Sequence, residues 1–405
     1  MNCGLLGRTL GHSYSPQIHS YLGDYPYALF EIEPEELDTF FQNNAFSGIN
    51  VTIPYKKAVI PYCDELSDCA KKIGSVNTIV RRNGKLIGHN TDYFGFQSMV
   101  LKMNLPLKGE KVLVLGSGGT SVTAVAVLEE MGANVVVISR SGENNYENLH
   151  LHTDAVAIVN ATPVGMYPNA GKSPVDLELF PNLKGVLDIV YNPARTQLLL
   201  DADTRGIPNE NGLWMLIAQA KESAQWFLND TISDDIIEKI HGKLRRQMEN
   251  IVLIGMPGCG KSTVGKLLAR KLGRKFVDAD AEIVDLAKME IPEIFATVGE
   301  DGFRRLETQV LYHLGQQSGL VIATGGGCVT RPENYPLLHQ NGTIYWLKRN
   351  ISALPTEGRP LSQTGKLDQM YSIRKPLYQQ FADESISNDG TPEEAVALIL
   401  KGRSL

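Results

Sequence analysis

Residues 251–263 read IVLIGMPGCGKST. Four apolar residues run directly into Gly255, and Gly260, Lys261 and Ser262 follow at the spacing G-x4-G-K-S. The pattern predicts a buried strand, a glycine turn and the first turn of a helix, the arrangement called a P-loop. Such a loop works by geometry. Its glycines let successive backbone N–H groups turn inward around phosphate oxygens, and the helix N-terminus adds partial positive charge. Lys261 is then placed to reach the β and γ phosphates of a nucleotide, and the Ser262 hydroxyl to ligand Mg2+. Gly258, Cys259, Gly260, Lys261, Ser262 and Thr263 are the nucleotide-binding candidates. A P-loop strand usually opens its domain, yet 250 residues precede this one.

The chain of 405 residues predicts two or three domains at roughly 150 residues each. Its 43% hydrophobic and 21% charged content is that of an ordinary globular protein. A net charge of −6 argues against a nucleic-acid partner, which favours a basic domain. Cys3, Cys63, Cys69, Cys259 and Cys328 are scattered, with no CxxC pair or zinc spacing, so free thiols in a reducing compartment are expected. The start, MNCGLLGRTLGHSYSP, lacks a signal-peptide core, and no apolar run approaches the roughly 18 residues of a membrane helix. A cytoplasmic protein with no membrane partner is the expectation. Oligomeric state is left open.

Upstream of the P-loop, KVLVLGSGGTSVTAVAVLEEMG (111–132) predicts a strand, a glycine turn and a helix closed by Gly132. NVVVIS (134–139), AVAIVN (155–160) and GVLDIV (185–190) are short apolar runs of the kind buried in parallel sheets. Before them, GINVTIP (48–54) reads as a strand and EPEELDTFFQN (33–43) as a helix. SDDIIEKIHGKLRRQM (233–248) predicts a helix with Ser233 as N-cap and Ile236, Ile237, Ile240, Leu244 and Met248 on one stripe. Its acidic start and basic end suit the helix dipole. The expected organisation is α/β throughout. A substrate domain spans 1–104, a dinucleotide-binding domain with a returning helix spans 105–248, and a P-loop domain spans 249–405.

In the last of these, KFVDADAEI (275–283) reads as a strand, so Asp278 and Asp280 share a face. GEDGFRRLE, VIATGGGCV, GRPL and IRKPLY follow, and Arg304, Arg359 and Arg374 with a glycine triplet suggest a cleft for anions. These motifs, in this order, resemble the shikimate kinase family over about 250–405. The resemblance implies a five-stranded parallel sheet. It implies that Asp280 binds the shikimate hydroxyls and takes the proton of the attacking one. Arg304 and Arg374 would pair with the carboxylate, Gly326 would offer backbone, and Asp278 would support Mg2+ through water. Arg359, on a lid, would come down on the transferring phosphate. The lid stretch NISALPTEGRP is shorter than the family's usual one and holds only that arginine.

In the first part, Gly116, Ser117, Gly118, Gly119 and Thr120 follow a strand and open a helix, as in a dinucleotide turn. The next strand ends on Ser139, Arg140 and Ser141, where an NAD site would carry a carboxylate; an arginine between hydroxyls suits the 2′-phosphate of NADP. Ser13 and Ser15 are alternate hydroxyls that would face one ligand, and Thr52, Lys56, Asn77 and Asp92 complete the polar candidates. The stretches GHSYSPQIH, NVTIPYK, SVNTI, HNTDYFGF, NATPVGM, DIVYNP and NGLWMLIAQA resemble the shikimate dehydrogenase family over about 1–245. By that resemblance Ser13 and Ser15 bind the substrate carboxylate, and Thr52, Asn77, Tyr191 and Gln219 hold its hydroxyls and carbonyl. Lys56 exchanges the proton at the carbonyl with Asp92 beside it, and Gly212 and Ile189 lie near the nicotinamide of NADPH.

Two departures from that pattern stand out. The stretch between Arg140 and Asn160 is short for a full helix, and Trp214 stands at a usually small position beside the cofactor. The chain therefore reads as two consecutive enzymes acting on small molecules, first reducing 3-dehydroshikimate and then phosphorylating shikimate. A quinate dehydrogenase using NAD is disfavoured by Ser13 and Arg140. A metabolite-sensing regulator is disfavoured by the intact Lys56, Asp92, Lys261, Asp280 and Arg359.

Overall fold

A computed structural model describes residues 2–11, 13–43, 46–354 and 366–403. Their strands form three sheets. In the first, β1 (Cys3–Gly7), β2 (Tyr27–Glu31), β3 (Gly48–Val51), β4 (Glu65–Leu66), β5 (Thr78–Arg82) and β6 (Lys85–His89) take the order β2-β1-β3-β5-β6-β4. β5 pairs antiparallel with β3 and with β6, while β1 lies parallel to β2 and β3. The β5–β6 hairpin turns on Asn83 and Gly84, at φ of 51° and 81°. Asn-Gly is the pair that tolerates the two positive φ values of a turn matching strand twist.

The second sheet is wholly parallel. β7 (Lys111–Leu115), β8 (Asn134–Ile138), β9 (Ala157–Asn160), β10 (Gly185–Asp188) and β11 (Asn209–Asn211) take the order β11-β10-β9-β7-β8. β9 and β10 are buried along their length, as their valine-rich runs require. Between β8 and β9 the chain makes only a 3-10 turn, Leu149–His152, so a full crossover helix is missing there.

The third sheet is parallel too. β12 (Asn250–Ile254), β13 (Phe276–Asp278), β14 (Val321–Ala323), β15 (Gly342–Lys348) and β16 (Glu384–Ser387) take the order β13-β14-β12-β15-β16. The P-loop strand β12 is central and fully buried.

The chain divides into two compact units. One comprises Met1–Met166, Lys172–Tyr191 and Leu198–Lys243; the other comprises Tyr167–Gly171, Asn192–Gln197 and Leu244–Leu405. Within the first unit, region 1–104 is completed by a later element. Helix Leu213–Leu228 packs on helices Asp92–Met103 and Ser15–Leu22 and touches β3 and β5. Gly95 lets the first pair approach, since a Cβ there would lie 2.7 Å from the Met215 carbonyl oxygen. Helix Asp235–Met248 buries Ile237, Ile240, Leu244 and Met248, while Ile236 stays half-exposed. The Ser233 hydroxyl accepts from the Asp235 N–H at 3.4 Å. The division between units falls inside this helix, after Lys243.

Three local expectations change. The strand read over 48–54 ends at Val51. The segment 33–43 is a 3-10 turn, Pro34–Glu36, before helix Leu37–Asn43. The strand read over 275–283 ends at Asp278, whose carboxylate accepts from the Asp280 N–H at 3.2 Å and caps helix Ala279–Ala287. Aspartate at a helix start satisfies a free N–H, and that local bond wins over continued extension. Among the described residues, no helix is long and apolar enough to cross a membrane, and the five cysteines are unpaired.

Candidate active sites

In the first unit, one cleft of about 470 Å³ gathers residues from widely separated stretches. Ser13, Ser15, Thr52, Lys56, Asn77, Asp92, Tyr191 and Gln219 all line it. Thr120, Ile189 and Gly212, from the dinucleotide-binding set, line it as well. Lys56 Nζ lies 2.6 Å from Asp92 Oδ2, with Lys56 under a third exposed and Asp92 less. Asp92 opens helix Asp92–Met103, and Lys56 lies in the turns after β3, so the sheet brings together residues 36 positions apart. Asn77 is fixed from behind: its Oδ1 accepts from the Thr91 N–H at 2.7 Å. Burial pushes the Tyr191 phenol up from its usual range, which keeps it a neutral hydrogen-bonding group.

A buried polar network under this cleft escaped the sequence reading. Asn50 Nδ2 donates to Ser223 Oγ (2.8 Å) and Thr78 Oγ1 (3.1 Å), and Tyr27 donates its hydroxyl to Asn50 Oδ1 (2.7 Å). Thr91 and Ser223 are 2.9 Å apart. Asn50 lines the cleft itself. The one signal was a lone asparagine inside the apolar run GINV.

The dinucleotide turn has the backbone a phosphate needs. Gly116 sits at φ 104°, in the region that favours glycine, and a Cβ on Gly118 or Gly119 would meet open space. Helix Gly119–Glu130 begins there. Ser121 Oγ donates to the Gly116 carbonyl at 2.7 Å, holding the turn. Ser139 is half-buried, whereas Arg140 and Ser141 are exposed, and Arg140 has no ion pair among the described residues. Gly212 is pressed on Ile189: a Cβ there would lie 1.9 Å from the Ile189 carbonyl oxygen. Trp214 is not among the residues that line the cleft. Its Nε1 donates to Ser98 Oγ at 3.0 Å, and Lys102 Nζ lies 4.1 Å from its ring centroid.

In the second unit, Gly255, Gly258 and Gly260 adopt φ of 145°, 82° and 98°, which curls the P-loop. Lys261 is 8% exposed and rests its Nζ on the Gly255 (2.9 Å) and Met256 (3.1 Å) carbonyls. Ser262 Oγ donates to Asp278 Oδ2 at 2.7 Å, so the two metal candidates share one spot. The hard oxygens of such a pair suit Mg2+.

Around the glycine triplet the anion-binding candidates come together. Arg374 Nη1 donates to the Gly326 carbonyl at 3.1 Å. A Cβ on Gly327 would lie 2.1 Å from Arg304 Nη2, and one on Gly325 would lie 2.7 Å from both Asp280 Oδ1 and Glu307 Oε1. Glu307, fully buried and absent from the sequence reading, pairs with Arg304 Nη1 at 2.7 Å. Burial pushes its carboxyl up and Arg304 pulls it down; the short contact to an always-charged guanidinium favours the ionised pair. Its spacing from Arg304 is that of any helical charge pair, which hid it. Arg359 lies outside the described residues.

Comparison with known proteins fits this geometry. The chain is 34% identical over 269 residues to the shikimate dehydrogenase (NADP(+)) of Clostridium perfringens, covering 60% of this chain and 97% of that one. The chain belongs to the shikimate dehydrogenase family. A family model described as shikimate dehydrogenase substrate binding domain matches residues 5–79, and one described as shikimate kinase matches residues 257–402. The chain thus joins a shikimate dehydrogenase to a shikimate kinase domain. Among solved structures, shikimate dehydrogenase 1 from Peptoclostridium difficile is similar at 37% identity and TM-score 0.55, covering 60% of this chain and 97% of that one. The Thermus thermophilus shikimate 5-dehydrogenase, solved with NADP(H) and shikimate, is similar at 30% identity and TM-score 0.55, covering 60% and 99%.

Proposed function

We propose that the two halves catalyse consecutive steps, reduction of 3-dehydroshikimate to shikimate with NADPH and phosphorylation of shikimate to shikimate 3-phosphate with ATP. The observation that carries this reading is the cleft in which six separately read polar residues surround the Lys56–Asp92 pair.

In the first half, Ser13 and Ser15 bind the substrate carboxylate, and Thr52, Asn77, Tyr191 and Gln219 orient its hydroxyls and carbonyl. Asp92 holds Lys56 by a 2.6 Å contact, so the ammonium is aimed into the cleft. Lys56 donates its proton to the carbonyl oxygen as negative charge develops there, and takes it back in the reverse reaction. NADPH, when bound, supplies the hydride. The turn Gly116, Ser117, Gly118, Gly119 and Thr120 would hold its pyrophosphate. Ser139, Arg140 and Ser141 would hold its 2′-phosphate, with Ile189 and Gly212 beside the nicotinamide.

In the second half, Arg304 and Arg374 clamp the shikimate carboxylate, and Gly326 offers backbone to the substrate. Asp280 accepts the proton of the attacking hydroxyl. Gly258, Cys259, Gly260, Lys261, Ser262 and Thr263 cradle the phosphates of ATP, and Lys261 leaves its resting carbonyls for the β and γ phosphates. Ser262 would ligand Mg2+ directly and Asp278 through water, and Arg359 would close on the transferring phosphate.

The test is one assay. With 3-dehydroshikimate, NADPH, ATP and Mg2+, the intact chain should consume NADPH and then release ADP. ADP release without NADPH oxidation, or neither, would refute the reading.

A further inference from the structure

Two strand ends lie to one side of the P-loop strand. β15 and β16 are parallel neighbours whose last paired residues are Lys348 and Ser387. The next residues, Arg349 and Asn388, therefore stand at the carboxyl ends of the strands, where open α/β sheets bind ligands. The Asn388 N–H donates to the Lys348 carbonyl at 2.7 Å and fixes this register. Asn388 is 3% exposed and donates Nδ2 to the Cys259 carbonyl at 2.6 Å, so it braces the loop from beneath. Its Oδ1 is buried with no partner.

Arg349 lies against the same loop. Its Nη1 is 4.0 Å from the point where Gly260 would carry a Cβ, and that glycine is the N-cap of helix Lys261–Leu272. Its Nε is buried and makes no hydrogen bond, and no ion pair of its guanidinium is formed among the described residues. A surface arginine would hydrate that N–H. A sealed, unpaired donor on a permanently charged group costs free energy unless an acceptor arrives. The side chain stands close to the glycine that opens the P-loop helix, the helix end that carries partial positive charge and favours anions.

We propose that Arg349 is a phosphate-binding residue of the nucleotide site, its guanidinium donating to the phosphate chain of a nucleoside triphosphate held by the P-loop. This rests on the reading of the second half as a kinase. A stacking role on the base would leave the Nε donor unpaired, whereas a phosphate oxygen satisfies it and meets the charge. Asn388 is the positioning residue that keeps Cys259 and Gly260 at the height of Arg349.

The experiment is equilibrium binding of ATP and of inorganic tripolyphosphate to the full chain, to Arg349→Ala and to Arg349→Lys. Shikimate phosphorylation and NADPH oxidation are measured alongside. Arg349→Ala should weaken both ligands by a similar factor, roughly 10- to 150-fold, the scale of a charge-assisted hydrogen bond. Arg349→Lys, which keeps the charge but loses the fork, should fall between the two and carries the test if the alanine variant melts early. The KM for shikimate and the rate of NADPH oxidation should not move. Unchanged binding of both ligands overturns the proposal, as does weaker ATP binding with tripolyphosphate unaffected, which would aim the guanidinium at the base. In both cases wild-type phosphorylation leaves the kinase reading standing. A wild-type chain that binds neither ligand and phosphorylates nothing removes that reading and this proposal with it.

Discussion

Lys56 and Asp92 make a pair that a surface would render nearly worthless and that the cleft makes directional. Lys56→Ala should cut NADPH oxidation by roughly 10²–10⁴-fold, the usual worth of positioned proton transfer, with shikimate phosphorylation little changed. Near-wild-type reduction would disprove the assignment. Arg140, exposed and without an ion pair among the described residues, should matter through the cofactor alone. Arg140→Ala should raise the KM for NADPH roughly 10- to 150-fold and that for NADH little. Comparable use of both cofactors by the unmutated chain would contradict it. Gly212 faces a harder constraint, since a Cβ 1.9 Å from the Ile189 carbonyl oxygen forces backbone apart. Gly212→Ala should destabilise the first unit by roughly 1–3 kcal/mol, read by urea unfolding. Residues with a chemical signature, such as Lys261 in its glycine frame or Lys56 after NVTIP, were legible in the sequence. Glu307 and Asn50 were not, because a helical Arg–Glu spacing and one asparagine in a strand carry no signature until the fold shows what they face.

At the level of elements, the period of the apolar runs determined the parallel strands and the turn chemistry determined the glycine loops. What failed was termination. Asp278 looked like a strand residue until its carboxylate captured the Asp280 N–H, a contact of two residues that no hydrophobic period reports. The role of helix Leu213–Leu228 also needed the fold, since its partner helices lie more than a hundred residues upstream. Under that helix sits His19, stacked on Tyr27 at 4.0 Å and on Phe227 at 5.7 Å, with Nδ1 2.6 Å from the Tyr25 hydroxyl. Burial lowers its pKa to about 3, against a partial opposing effect of Asn50. His89, stacked on Trp226, is lowered to about 4 by burial and by Arg82. In the unfolded chain both take a proton near pH 6.5, and in the folded chain they do not until far lower. The neutral forms therefore favour folding above pH 6.5, and that stability is lost as pH falls from 6.5 towards 3 or 4. Each histidine should contribute a slope of up to about 1.4 kcal/mol per pH unit in that window. Urea midpoints between pH 7 and 4.5 should show the fall, and His19→Gln should flatten it; equal slopes in the two proteins would rule His19 out.

On the scale of the whole molecule, each cleft draws its reacting groups from one unit. Lys261→Ala should abolish ADP release and leave NADPH oxidation intact, the mirror image of Lys56→Ala. Joint loss of both activities in either well-folded variant would refute that independence. The order of the two enzymes along the chain was legible, since their motifs never interleave. The last point of division was not: it falls between Lys243 and Leu244, in mid-helix, where nothing in SDDIIEKIHGKLRRQM marks a boundary. That single helix gives Ile237 and Ile240 to one unit and Leu244 and Met248 to the other. A gene cut there would leave each product with half an amphipathic rod and two greasy side chains that the other half of the helix no longer follows or precedes. Separate expression of the two catalysts would then call for overlapping fragments that each inherit a full copy of the segment.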